Sequence, residues 1–280
     1  MQFNPQVPWT HEQWARVNQV IQEEAQRARV AASFLPLYGP LPADTDFVRS
    51  GDISYESPLT IADKDTIQLS TLQLKVEVRG AQLADPEMGS VLSLFRRAAN
   101  ILARLEDALI FNGQPGPDEL PAENAPNVGE KICGGEEFSG LVKSGEEFGP
   151  PVVDGDTLVE AVNNAIGHLE ENGHFGPFAV VLAQDLFLLA QRPSTGRPQV
   201  SPQDQILPFL GGGSLLRSSA IPNGNGVLVA LGGEPVELVV ATDMSLQFLQ
   251  VTEKPSFLFR VYEKVTLRIK GQKAIARLTG

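Results

Sequence analysis

The groups that could perform proton transfer, nucleophilic attack or metal binding near neutral pH are few in this chain: three histidines, one cysteine and an adjacent carboxylate pair interrupting an apolar stripe. His11-Glu12 begins like a zinc-protease helix, but the second ligand of that motif falls on Ala15, so no metal site is expected. His168 stands in the last turns of an expected helix and His174 just beyond its Asn172-Gly173 end, where capping and surface roles outweigh catalysis. Cys133 is followed by Gly134, Gly135, Glu136 and Glu137, whose charges oppose thiolate formation; being the sole cysteine, it forms no internal disulfide. No serine occupies a G-x-S-x-G elbow. Gly211-Gly212-Gly213 and Gly224-Asn225-Gly226 lack the lysine and hydroxyl residue of a phosphate loop and read as turns. Glu106 and Asp107 are neighbours on a helix, so they point about 100° apart and do not converge on a substrate. A structural ion pair with Arg96, Arg97 or a strand arginine is the expectation. No nucleophile and base come together, and the chain is not expected to be an enzyme.

Composition sets the class. With 280 residues, 42% apolar and 20% charged, the chain is long enough to bury a substantial core without staples. No run of 18 apolar residues suggests a membrane span, and the start of the chain lacks the order of a signal peptide. The expected compartment is the cytoplasm. A net charge of −12 disfavours a nucleic-acid partner.

The elements are legible from their periods. Thr10 with Gln13 fits a capping box, Trp9 can staple onto Trp14, and Trp14, Val17, Ile21, Ala25, Ala28 and Ala32 recur at helical spacing before Pro36. Leu72, Leu74, Val76 and Val78 alternate with polar residues as in a half-buried strand; paired with the residues before it, this strand would make a two-stranded arm. The longest buried helix is expected from Asp85 to Phe111, with Pro86 in its first turn and Asn112-Gly113 at its end. Asp156 opens a helix to Asn172-Gly173, followed by a buried strand Phe178 to Leu182, a short helix Asp185 to Gln191 and an exposed loop Arg192 to Pro202. Strands are expected at Leu215 to Ile221, Val227 to Leu231, Val236 to Thr242, Leu246 to Val251 and Phe259 to Ile269. Residues 113–156 carry ten acids against Lys131 and Lys143, whereas 250–280 carry seven basic residues against Glu253 and Glu263. Such asymmetry can bring copies of the chain together head to tail.

Four segments in order along the chain resemble encapsulins, the nanocompartment shell proteins of bacteria and archaea. Leu105-Glu106-Asp107-Ala108-Leu109-Ile110-Phe111-Asn112-Gly113 resembles the E-D-x-x-I-F-x-G end of their long helix. Thr10-x-x-Gln13-Trp14 and Tyr38-Gly39-Pro40-Leu41 bracket the first helix, Gly173 to Leu182 is similar to the G-x-x-G-P-Y/F-x-x-V segment, and Phe259 to Ile269 with Ala274-Ile275 resembles the closing strands. The resemblance implies an α+β, HK97-like capsid fold with a peripheral lobe, an axial lobe and an extended two-stranded loop. It divides the chain into a lumen-facing helical arm (1–43), the extended loop (44–80), a peripheral domain with the spine helix and the acidic excursion (81–155), an axial domain (156–233) and strands returning to the peripheral domain (234–280).

The same resemblance implies a self-assembling shell that encloses a cargo enzyme carrying a C-terminal targeting peptide. A phage or prophage capsid protein of the same fold is the alternative, disfavoured by the acidic charge and by the intact first helix. Thr195, Gly196, Arg197, Pro198 and Gln199 are expected to line a pore, and Trp14, Leu37 and Leu246 to dock cargo. Some members bind flavin through a tryptophan near the end of the extended loop; Val76 to Gly80 contain none, so no cofactor is expected. Tyr38 stands where some members carry an acid before Gly-Pro, which implies a different mode of cargo recognition.

Overall fold

The computed structural model describes residues 6–54, 60–62, 65–114, 130–193, 200–254 and 256–280. Two five-stranded sheets organise the chain. The first runs, in spatial order, Leu37–Tyr38, Val236–Val251, Ser256–Ile269, Ser70–Arg79 and Glu130–Gly134. The second runs Glu146–Glu147, Ile275–Thr279, Asn225–Ala230, Phe178–Leu182 and Leu215–Arg217. One continuous apolar core links both.

Local chemistry explains most boundaries. The amino-terminal helix, His11–Ala28, starts at the expected box: Gln13 N–H donates to Thr10 Oγ1 at 3.2 Å while the Gln13 side chain accepts from Thr10 N–H at 2.9 Å. Its apolar line Trp14, Val17, Ile21, Ala25 is buried. The spine helix, Gly89–Asn112, begins later than expected, because Met88 adopts a left-handed conformation (φ 55°) and leaves Pro86 in the preceding turn. It ends as expected at Gly113, where φ is 86° and an added Cβ would lie 2.1 Å from the Phe138 carbonyl oxygen. Gly155–Glu171 is capped by Asp154, not by Asp156: the Asp154 carboxylate accepts from Thr157 N–H at 2.9 Å. Within the expected loop before Pro202, Ser201 caps a short helix, Pro202–Ile206, with Asp204 completing the box.

The first sheet carries two findings. Val236–Val251 is one strand where two were expected; register shifts between Val240 and Ser245 bend it, so the polar Thr242-Asp243 step stays inside the ladder. Ser70–Arg79 pairs with Ser256–Ile269 and with Glu130–Gly134, not with the residues before it. Those residues pair with each other: Phe47–Arg49 with Thr66–Gln68, and Asp52–Ser54 with Thr60–Ala62. They form the extended two-stranded ribbon, tied to the sheet by Ile53 N–H donating to the Lys270 carbonyl at 3.2 Å.

Basic residues of the closing strands are largely occupied inside the chain, against the expectation that they would face the acidic excursion of another copy. Arg268 and Lys270 both meet Glu237, Lys264 meets Asp46 at 2.5 Å, and Arg277 donates to Asn225 at 2.9 Å.

Aromatic packing fixes the helices on the first sheet. Trp9 meets Trp14 edge-on at 5.1 Å and stacks on Phe259 at 5.2 Å, and Phe259 also meets Phe95 of the spine at 5.5 Å and Phe248 at 5.4 Å. Phe259→Ala should therefore cost about 3–5 kcal/mol in chemical denaturation. A loss below about 1 kcal/mol would show that Phe259 is not the hub of this cluster.

Candidate functional site

The chain immediately after the amino-terminal helix enters a buried ionic node. Arg29, the residue that ends the helix, has its side chain 11% exposed and reaches carboxylates on three other elements. Its Nε lies 2.5 Å from Glu106 of the spine, its Nη1 donates to Asp243 at 2.8 Å, and its Nη2 donates to Glu263 of the Ser256–Ile269 strand. Asp243 also accepts from its own neighbour Met244 N–H at 2.7 Å, which holds the bend of its strand. Asp107, next to Glu106, points elsewhere and caps the following short helix Ala31–Phe34. It accepts from Val30 N–H at 3.0 Å and Ala31 N–H at 2.8 Å.

The adjacent pair is thus structural, as expected, but its partner is Arg29; Arg96 and Arg97 stay at the surface. The signal for Arg29 in the sequence was only its place at the end of an amphipathic helix.

Electrostatics here follow from burial. Asp107 is raised from 3.8 to about 7 and Glu263 from 4.5 to about 7, in both cases chiefly because burial disfavours the charged form. Glu106 is raised well above the usual carboxylate range by burial and by the charge of Glu263, with Arg29 opposing. Burial pulls the Arg29 guanidinium down, but Glu263, Glu106 and Asp243 outweigh it and hold its proton more firmly. These acids are assembled to bind one cation and one backbone turn, and they leave no open face for a substrate.

The other expected sites lie apart from this node and from each other. Trp14 is inside the aromatic cluster at 3% exposure, and Leu246 is 7% exposed on the strand that packs against the amino-terminal helix. Leu37, in contrast, is 60% exposed on a two-residue edge strand beside Leu238. Thr195, Gly196, Arg197, Pro198 and Gln199 lie outside the described residues. Val76 and Val78 are buried in the first sheet. His168 stacks on Phe148 with ring centres 4.0 Å apart, 3.5 Å from Glu146. His174 is buried against Gly271, not at the surface, and its imidazole is held below its ordinary value by burial and by Lys273. Cys133 is exposed on the Glu130–Gly134 edge strand. Among the described residues, no group of three or more His, Cys, Asp or Glu side chains could hold a metal ion, and no helix is long and apolar enough to cross a membrane.

Solved structures of the same architecture come from shell-forming particles. The virus-like particle protein of Pyrococcus furiosus superimposes with a TM-score of 0.71 over 95% of this chain and 98% of that one, at 16% identity. The SrpI encapsulin of Synechococcus elongatus gives 0.59 over 100% and 92%, at 13% identity, and a protein of Mycobacterium phage Bobi gives 0.61 over 91% and 89%, at 12% identity. The architecture is therefore the α+β, HK97-like capsid fold, and the protein is a shell subunit of the encapsulin type that assembles with itself. In sequence it is 28% identical to the type 1 encapsulin shell protein EncA of Myxococcus xanthus, over 98% of this chain and 94% of that protein. It belongs to the family described as "Encapsulating protein for peroxidase", which it matches over residues 3–118 and 134–266.

Two outcomes follow for the node. Because the folded chain keeps protons on Asp107 and Glu263 that the unfolded chain releases, this part of its stability is complete below about pH 4 and declines as pH rises through about 7. Stability measured by denaturation should fall by up to about 5 kcal/mol between about pH 5 and pH 8, and the fall should be roughly halved in Glu263→Gln. Arg29→Met should cost about 3–5 kcal/mol at neutral pH, since it strands the carboxyls without their cation. Equal pH profiles for both proteins would contradict the first outcome.

Proposed function

We propose that copies of this chain close into an icosahedral compartment in the bacterial cytoplasm and enclose a cargo enzyme held by its C-terminal targeting peptide. The reading rests on family membership along nearly the whole chain. The structural observation that carries it is the self-paired ribbon, which leaves Phe47 and Ile61 exposed to solvent. A two-stranded ribbon is marginal alone and large exposed apolar side chains call for a covering surface, which a neighbouring copy supplies. Further exposed apolar groups, Phe175 and Phe209, lie near the second sheet and fit the same need. Many repeated weak contacts of this kind give a closed, symmetric assembly.

In this reading the cargo peptide docks at Leu37, while Trp14 and Leu246, buried apart from it, hold the amino-terminal helix on the first sheet. The support is that Leu37 is solvent-exposed while the strand carrying it is anchored at Leu238. Thr195 to Gln199 form the pore, and Arg197, repeated around its ring, favours anions.

Sedimentation and electron microscopy of the purified chain should reveal closed particles far larger than a dimer. A folded monomer or dimer as the sole species would end the proposal. Leu37→Asp should abolish co-purification of a reporter fused to the targeting peptide while leaving particles intact; unchanged co-purification would remove Leu37 from the docking surface.

A further inference from the structure

Beside the second sheet lies a cavity with no part in the ionic node or in the proposed assembly. It measures about 340 Å³, at the small end of the range for ligand sites, and is built on the short helix Gln184–Gln191. Asp185, Leu188, Leu189 and Arg192, the residue that ends this helix, all line it. Offsets of three, four and seven residues place them on one helix face, so the wall runs acid, two leucines, base. Val152 and the buried Leu186 extend its apolar part.

Both charges are available. Asp185 Oδ2 accepts from Gly224 N–H at 2.7 Å, whereas Oδ1 is buried without a hydrogen-bond partner among the described residues. A buried acceptor left unmatched calls for a bound donor. The last torsion of an aspartate is soft, so a small turn brings Oδ1 to the cavity while Gly224 keeps its acceptor. Arg192 is exposed, and among the described residues no carboxylate forms an ion pair with it. Between the two charges Leu188 stays 44% exposed, apolar surface that a ligand would cover.

We propose that this cavity binds an extended zwitterion whose ammonium meets Asp185, whose carboxylate meets Arg192, and whose unbranched apolar chain lies over Leu188 and Leu189. Free ε-aminocaproate and a carboxyl-terminal lysine both have this chemistry. The dimensions agree. Seven residues of helix set the Cα atoms of Asp185 and Arg192 about 10.5 Å apart. Five methylenes hold the charged ends of the ligand about 7–8 Å apart, which leaves room for one charge-assisted hydrogen bond at each end. The charges of an α-amino acid head group, about 3 Å apart, cannot reach both. The helix macrodipole, about half a charge at each end, opposes this orientation and is outweighed by the full charges of the two side chains.

Isothermal titration calorimetry on the full chain as purified provides the test. ε-Aminocaproate should bind with a Kd of about 1 mM or tighter. Hexanoate, which lacks the ammonium, and hexylamine, which lacks the carboxylate, should each bind at least tenfold more weakly. Asp185→Asn, whose amide oxygen can still accept from Gly224, and Arg192→Gln should each lose at least tenfold in affinity for ε-aminocaproate. Arg192 is exposed, so its variant should keep the melting temperature of the parent and remains decisive if Asp185→Asn fails to fold. The peptide Gly-Gly-Ser-Lys with a free carboxyl end separates the two sources. Equal binding of this peptide upholds the proposal with a chain end as occupant, and binding of ε-aminocaproate alone upholds it with a free small molecule. No binding of ε-aminocaproate, equal binding of either singly charged compound, or an unaffected Arg192→Gln variant would overturn it.

Discussion

Arg29 stands where the amino-terminal helix, the spine helix and the two longest strands of the first sheet meet, and most of what positions these elements passes through its guanidinium. The arrangement is demanding because it is dry. Two of the carboxyls it reaches, Glu106 and Glu263, are almost fully buried, and removing such groups from water carries a penalty of several kcal/mol each. Only the shared cation and partial protonation make that penalty tolerable. The helix can therefore seat in one place, with Arg29 among its acids, while Trp9 and Trp14 lock its other end against Phe259. Apolar contact alone would allow a helix with an alanine-rich face to slide; a charge that must find three acids does not.

Legibility in the sequence tracked the range of the interaction. The Thr10 box, the alternation from Leu72 to Val78, the end of the spine at Gly113 and the buried Phe178–Leu182 strand were readable because each is decided by residues a few positions apart. Asp154 was misplaced by two residues because two aspartates compete for the cap and only Asp154 has Thr157 at the reciprocal position. The joining of two expected strands into Val236–Val251 was hidden because Thr242 and Asp243 resemble a turn. Asp243 there accepts from Arg29, 214 residues away. Glu106 and Asp107 were recognisable as structural from their spacing, but their true partners, Arg29 and the Val30-Ala31 amides, were not. No local pattern records a pairing across 76 or 77 residues.

The functional reading had a different source. Composition and spacing removed chemistry after chemistry without naming a role, and the resemblance along the chain supplied the encapsulin fold, which the superpositions and the family match establish. This division is natural for a shell protein. In the proposed function its work is done by edges and exposed apolar side chains, which have no fixed residue signature, whereas the residues that look most like chemistry, buried acids around an arginine, hold the subunit in shape.

The order of strands in the second sheet has a temporal side. Ile275–Thr279 is an inner strand, flanked by Asn225–Ala230 on one side and Glu146–Glu147 on the other, and the Gly280 amide closes onto the Gly224 carbonyl at 2.8 Å. A nascent chain that has emerged only as far as position 270 lacks the middle of this sheet, however well its earlier elements have formed. The sheet is therefore completed only once residues 275–279 have been made, after all four of its other strands.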